Sequence, residues 1–102
     1  MNLEIATSNG QLNEAFAQYV EQQLHSGLSR FENRITGATV SFSDLSGPYG
    51  AEEQCLFALR LTPSGEVSVE RRGASARLAL ARAIVTCTRE LRRRFAVTEK
   101  SG

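Results

Sequence analysis

The sequence pattern predicts an α+β two-layer sandwich, with a four-stranded, mostly antiparallel sheet and two helices packed on one of its faces. Three observations carry that prediction. Two segments repeat apolar residues at helical spacing, four short segments alternate apolar with polar residues, and the six follow one another as β-α-β-β-β-α. Each strand is apolar on one side only, so both helices must cover the same side of the sheet.

Residues 2–6, Asn-Leu-Glu-Ile-Ala, alternate and predict a short strand with Leu3 and Ile5 inward. Ser8-Asn9-Gly10 is turn chemistry. Asn13 suits a helix N-cap, and Glu14 complements the positive end of the helix dipole. The first helix is expected from Asn13 to Phe31. Phe16, Val20, Leu24, Leu28 and Phe31 recur at spacings of three and four, with Tyr19 beside the stripe. Gly27 inside it weakens the helix by about 0.5–1 kcal/mol relative to Ala, so an irregularity is expected near His25-Ser26-Gly27.

Ile35 to Leu45 alternates, with Ala38, Val40 and Phe42 on one face and Thr39, Ser41 and Ser43 on the other. Ser46-Gly47-Pro48-Tyr49-Gly50 is a loop. Gln54 to Thr62 is the most regular strand, with Cys55, Phe57, Leu59 and Leu61 inward. Pro63-Ser64-Gly65 turns the chain into Glu66 to Glu70, with Val67 and Val69 inward. Thr, Ser, Gln, Glu and Arg60 line the opposite face, as in an antiparallel sheet with one wet side. The last helix is expected from the N-cap Ser75 to Phe95. At about 100° per residue, Leu80, Ile84, Cys87 and Leu91 fall in a narrow arc. Leu78, Ala81, Val85 and Thr88 widen it, as for a helix touching both a sheet and a second helix. Residues 1–96 read as a single domain and residues 97–102 as a flexible tail.

A chain of 102 residues buries one core without staples. No apolar run approaches the roughly 18–20 residues of a membrane span, and the start MNLEIATSNG shows no secretory signal. A cytoplasmic protein is expected. Cys55 and Cys87 both fall on apolar faces and read as buried thiols rather than a disulfide. With a single His and neither a CxxC nor an HxxxH pattern, no metal or other cofactor is expected.

The formal charge of +1 argues at first against a nucleic-acid partner, but the sum hides two unlike halves. Residues 1–63 carry Arg30, Arg34 and Arg60 against seven acidic residues; residues 64–102 carry nine basic residues against four acidic ones. The basic half is concentrated on the last helix. Arg82, Arg89 and Arg93 lie roughly opposite the apolar arc and form an outward stripe about 16 Å long. Arg71, Arg72 and Arg77 stand at the entrance to this helix and Arg92 and Arg94 at its exit. Arginine is favoured where planar, bidentate contact with phosphate matters. From Arg71 to Arg94 these eight arginines meet one acidic residue, Glu90. An RNA-contacting stripe is one reading. A solvated helix face is the other, with Arg92-Arg93-Arg94 complementing the dipole at the helix end.

Other candidates offer less. His25 has no Ser, Cys or carboxylate tied to it by a motif, and reads as a surface or capping residue. Glu52-Glu53 are adjacent at a strand edge, where neighbouring side chains point to opposite faces, and read as solubilising. Tyr49 is an exposed turn residue or a contact residue. Cys87 reads as a core filler. No catalytic constellation is present, so a non-enzymatic protein is expected.

The chain resembles the short ribosome hibernation-promoting factors and the related ribosome-associated inhibitor, also described as modulators of an alternative sigma factor. The resemblance rests on the β-α-β-β-β-α order and the opening Met-Asn-Leu-Glu-Ile. It rests further on Tyr19-Val20-Glu21-Gln22-Gln23-Leu24, Phe31-Glu32-Asn33-Arg34-Ile35-Thr36 and Arg89-Glu90-Leu91-Arg92-Arg93, and it spans roughly residues 1–95. It implies a fold like that of double-stranded-RNA-binding domains and a cytosolic protein bound to ribosomal RNA of the small subunit. Such a protein lies where messenger and transfer RNA would run and silences translation in stationary phase or stress. The family's basic outer helix surface matches Arg82, Arg89 and Arg93, with Arg92 nearby. The chain departs from the family at Gln22 and Gln23, where lysines are usual, and in a longer Ser46–Ala51 loop. A rival reading makes the acidic first helix and the polar sheet face a surface for a protein partner.

Overall fold

The structure, a computed structural model, describes residues 2–7, 13–48 and 50–101, with side chains through Phe95. Its elements are β1 (Asn2–Thr7), α1 (Glu14–Leu28), a 3-10 helix (Ser29–Arg34), β2 (Ile35–Asp44), β3 (Glu53–Leu61), β4 (Glu66–Gly73) and α2 (Ala76–Ser101). The sheet order is β1-β2-β3-β4. β1 runs parallel to β2, which requires the crossover that α1 supplies. β2, β3 and β4 form an antiparallel meander.

The register places the inward residues in continuous rows. Ile5, Val40, Phe57 and Val69 are paired across the four strands, as are Leu3, Ala38, Leu59 and Val67. Over these rows α1 lays Val20, Leu24 and Leu28, and α2 lays Leu80, Ile84, Cys87 and Leu91, all buried. Burying each large apolar side chain is worth about 1.5–3 kcal/mol. The Phe16 ring meets Phe42 edge-on, with centroids 5.2 Å apart. At the other end Phe95 of α2 stacks on Phe31 at 6.1 Å, and the Arg34 guanidinium covers the Phe95 ring at 5.0 Å.

Local chemistry explains the element ends. The Asn13 side chain accepts a hydrogen bond from Phe16 N at 2.7 Å, and Ser75 Oγ accepts one from Leu78 N at 3.2 Å. Both caps lie where the sequence puts them. Leu61 N donates to the Gly65 carbonyl at 2.8 Å to close the β3–β4 turn, where Gly65 has a φ of 109°. Ser8-Asn9-Gly10 and Tyr49 lie outside the described residues.

Four expectations change. The first helix gives way at Leu28 rather than continuing to Phe31, and the tighter 3-10 turn carries Phe31 into the core. Gly27 itself stays helical. A Cβ there would lie 2.6 Å from Ile84 Cγ2, so the glycine lets α1 approach α2 closely. β4 continues to Gly73, because β3 reaches back to Glu53 and supplies ladder partners for Arg71, Arg72 and Gly73. Arg71 and Arg72 therefore stand on a strand, not at a helix entrance.

α2 is also rotated from its expected seat. Ala79 and Ala83 are buried on one flank of the Leu80 arc, while Leu78, Ala81 and Val85 on the other face outward. The small alanines let the helix lie close to the sheet. Thr88 is half-buried, and its hydroxyl donates to the Ile84 carbonyl at 2.8 Å. Finally, α2 extends to Ser101 rather than stopping at Phe95.

Candidate functional site

The sequence-level candidates separate into three groups. Arg71, Arg72, Arg82 and Arg89 come together. They line an open groove of about 740 Å³ between β4 and α2, with Glu70, Ala81, Val85 and Thr86. Strand alternation sends Arg71 to the helix side of the sheet, in line with Val67 and Val69, and Arg72 to the opposite side, so the two border the groove from either face of β4, an outer strand. Helical spacing brings Arg82 and Arg89 alongside.

Three of these arginines are tied by a chain of hydrogen bonds to neutral acceptors. Arg71 Nε donates to Thr86 Oγ1 at 3.0 Å, and the Thr86 hydroxyl donates to the Arg82 carbonyl at 2.9 Å. Arg82 Nη1 then donates to the Arg72 carbonyl at 2.8 Å. A guanidinium has five N–H donors. Arg71 and Arg82 each spend one in these bonds and keep the rest for a ligand. Neutral acceptors thus hold like charges side by side, which leaves their field directed at solvent.

Acidic residues partly offset that field. Arg72 Nη1 lies 3.2 Å from Glu52 Oε1, with the Arg72 side chain exposed and the Glu52 side chain half-buried. Glu70 lies at the rim and accepts a hydrogen bond from Gln54. The sequence pattern marks Glu52 as a solubilising residue and does not single out Glu70 or Thr86. The signal for Glu52 is the hairpin register: Gln54 pairs with Arg72 and Glu53 with Gly73, which puts Glu52 beside the same end of β4.

The second group is Arg92. With Gly27, Ile84, Val85, Thr88 and Arg89 it lines a smaller groove of about 310 Å³ between the two helices. The third group is diverted. Arg77 lies over the Tyr19 ring at 4.6 Å. Arg93 and Arg94 lie 3.8 and 3.6 Å from Glu90, and Arg93 is the more exposed of the two. Arg82, Arg89 and Arg93 all face outward, as their spacing implies.

The outward face of α1 is different. Glu14 and Gln22 are exposed, and His25 Nδ1 lies 3.1 Å from Glu32 Oε1, with Glu21 3.9 Å from its other nitrogen. Both cysteines are free and buried, and burial pushes each thiol up to about 12. At the foot of the 45–52 loop, hydrogen bonds from Ser46 hold the Asp44 carboxyl below its ordinary value. Among the described residues no group of three or more His, Cys, Asp or Glu side chains gathers as a metal-ligand set, and no helix is long and apolar enough to cross a membrane.

No protein-family model and no curated protein matches the sequence. Solved structures do match. The N-terminal domain of Protein Y from Thermus thermophilus is similar, with a TM-score of 0.75 and 26% identity, over 91% of this chain and 98% of that one. A ribosomal subunit interface protein from Coxiella burnetii is similar in fold, with a TM-score of 0.79 and 11% identity, over 94% of this chain and 99% of that one. The four-stranded mixed sheet under two helices is the fold this chain shares with both.

Proposed function

We propose that the protein is a non-enzymatic, cytoplasmic, ribosome-associated factor. It lays the α2–β4 arginine surface on ribosomal RNA of the small subunit and inhibits translation by occupying space under stationary phase or stress. The observation that carries this reading is the convergence of Arg71, Arg72, Arg82 and Arg89 on one open groove, in a fold shared with Protein Y and a ribosomal subunit interface protein. Arg93 continues the outward stripe, and Arg77, Arg92 and Arg94 are auxiliary phosphate contacts.

The mechanism needs no chemistry on a substrate. Guanidinium groups meet backbone phosphates and release their condensed counterions, so affinity falls steeply with salt. The logarithmic slope is about 0.9 per phosphate contact on a duplex and about 0.7 on a single strand. The body of the domain then blocks the path behind the contact.

Sedimentation with purified small subunits tests the reading. The wild-type protein co-sediments at low salt and is released as salt rises. The triple substitution Arg82→Glu, Arg89→Glu, Arg93→Glu abolishes co-sedimentation; binding that survives it makes the stripe a solvated face. A second reading, a protein partner docked on α1, is favoured by the exposed Glu14 and by the Glu21, His25 and Glu32 cluster. A packed protein interface resists salt that disperses an RNA contact, so the same salt series separates the two.

A further inference from the structure

The arginine groove has an internal anion beside it. Glu52 stands just before β3 and reaches Arg72 at 3.2 Å. A smaller groove, lined by Ala51, Glu52, Arg72, Gly73, Ala74 and Arg82, adjoins the larger one and shares Arg72 and Arg82 with it. We propose that the β4–α2 groove seats two adjacent phosphate groups, one on Arg71, Arg82 and Arg89, the other on Arg72, and that the second displaces the Glu52 carboxylate. The inference deepens the ribosomal-RNA reading above and rests on it for the natural source of the phosphates.

The geometry separates the two seats. Arg71 and Arg82 are held by neutral partners, Thr86 and the Arg72 carbonyl, and meet an incoming phosphate already aligned. Among the described residues, Arg72 is the groove arginine whose guanidinium has a carboxylate partner. That pair is open to solvent, at 59% exposure for the Arg72 side chain and 43% for Glu52, and ion pairs at the surface hold weakly. A phosphate likewise offers Arg72 two oxygens for bidentate contact.

The loop that carries Glu52 is built to keep its end in place. Ser46 N donates to Asp44 Oδ1 at 2.8 Å, Glu52 N donates to Ser46 Oγ at 3.1 Å, and Leu45 N donates to the Glu52 carbonyl at 2.8 Å. Only the Glu52 side chain has to swing away, while its backbone remains fixed.

Inorganic pyrophosphate, two linked phosphates without base or sugar, is the probe. It is titrated into the whole protein at low salt while the Arg72 and Arg82 guanidinium resonances are followed by NMR. Glu52→Gln is expected to bind pyrophosphate about three- to fivefold tighter than wild type, the span that exposed ion pairs command. Glu66→Gln adds the same charge at the far end of β4 and is expected to change binding by less than about 1.5-fold. Against an Arg72→Ala background the Glu52→Gln gain disappears, because the two side chains act on one another.

A Glu52→Gln gain no larger than that of Glu66→Gln overturns the proposal. So does a gain that persists without Arg72, or pyrophosphate binding to no variant. Small-subunit sedimentation reads the broader function separately. Its failure alongside the expected pyrophosphate pattern removes the ribosome and leaves the two-phosphate seat standing.

Discussion

α1 and α2 bury equivalent stripes in one core and present opposite chemistry to solvent. Val20, Leu24 and Leu28 of α1 face the sheet as Leu80, Ile84, Cys87 and Leu91 of α2 do. Outside, α1 carries Glu14, Glu21 and Gln22, whereas α2 carries Arg82, Arg89, Arg92 and Arg93. The core dictates the inward faces of both helices and leaves the outward faces free to diverge. A charged surface can thus sit on one helix alone and take its remaining arginines from another element. In this chain the complement to α2 is β4, through Arg71 and Arg72.

The sharpest way to break that comparison is to reverse charge on the groove and on the helix exit separately. Arg82→Glu with Arg89→Glu is expected to weaken small-subunit binding at least ~100-fold, about 2.7 kcal/mol. Arg93→Glu with Arg94→Glu is expected to cost less than about tenfold, or about 1.4 kcal/mol, because both lie beside Glu90. Equal losses in a salt-matched binding assay mean that the groove is not a unit.

The contact between the helices comes next. Gly27→Ala is expected to destabilise the fold by about 1–3 kcal/mol through crowding against Ile84, although alanine is the better helix former by about 1 kcal/mol. Urea denaturation measures this. In an Ile84→Ala background, which removes the crowded Cγ2, the cost of the alanine vanishes.

A gentler effect concerns the thiols that α2 and β3 share. Their folded values stand near 12 against an ordinary 9.0, so the folded state keeps its protons where the unfolded chain loses them. Stability is full below pH 9 and declines as pH rises from about 9 towards 12. At neutral pH a thiol reagent modifies Cys55 and Cys87 only as fast as the protein opens. Rapid labelling of the folded protein contradicts that burial. The smallest change is expected on α1, where Glu14→Gln with Glu21→Gln leaves ribosome binding within about twofold, or about 0.4 kcal/mol. A larger change draws α1 into the interface.

Much of the fold is legible because periodicity and burial agree. Phe57, Leu59 and Leu61 alternate and are buried, and Asn13 and Ser75 cap the helices that follow them. The end of β4 is not legible in this way. Beyond Val69 the strand has no inward apolar residue to announce it, and only the ladder with Glu53, Gln54 and Cys55 extends it. The rotation of α2 is hidden for a related reason. Leu78 and Val85 look like core residues, but Ala79 and Ala83 win the sheet-facing side because their small size lets the helix close on the strands. The outward arginine stripe is visible in the spacing of Arg82 and Arg89. Its union with Arg71 and Arg72, and the approach of Glu52, follow from hairpin register, which local spacing does not reveal.

The bond from Arg82 to the Arg72 carbonyl has a second consequence, because β4 is an outer strand of the sheet. An uncovered outer strand is a template on which another copy can add its own strand and begin aggregation. Here a side chain of α2 occupies one of the acceptors such an addition would use, and Arg71 and Arg72 set like charges before any second copy that approaches in the same way. The arginines that make the groove attractive to polyanions therefore also disfavour strand addition at the β4 edge.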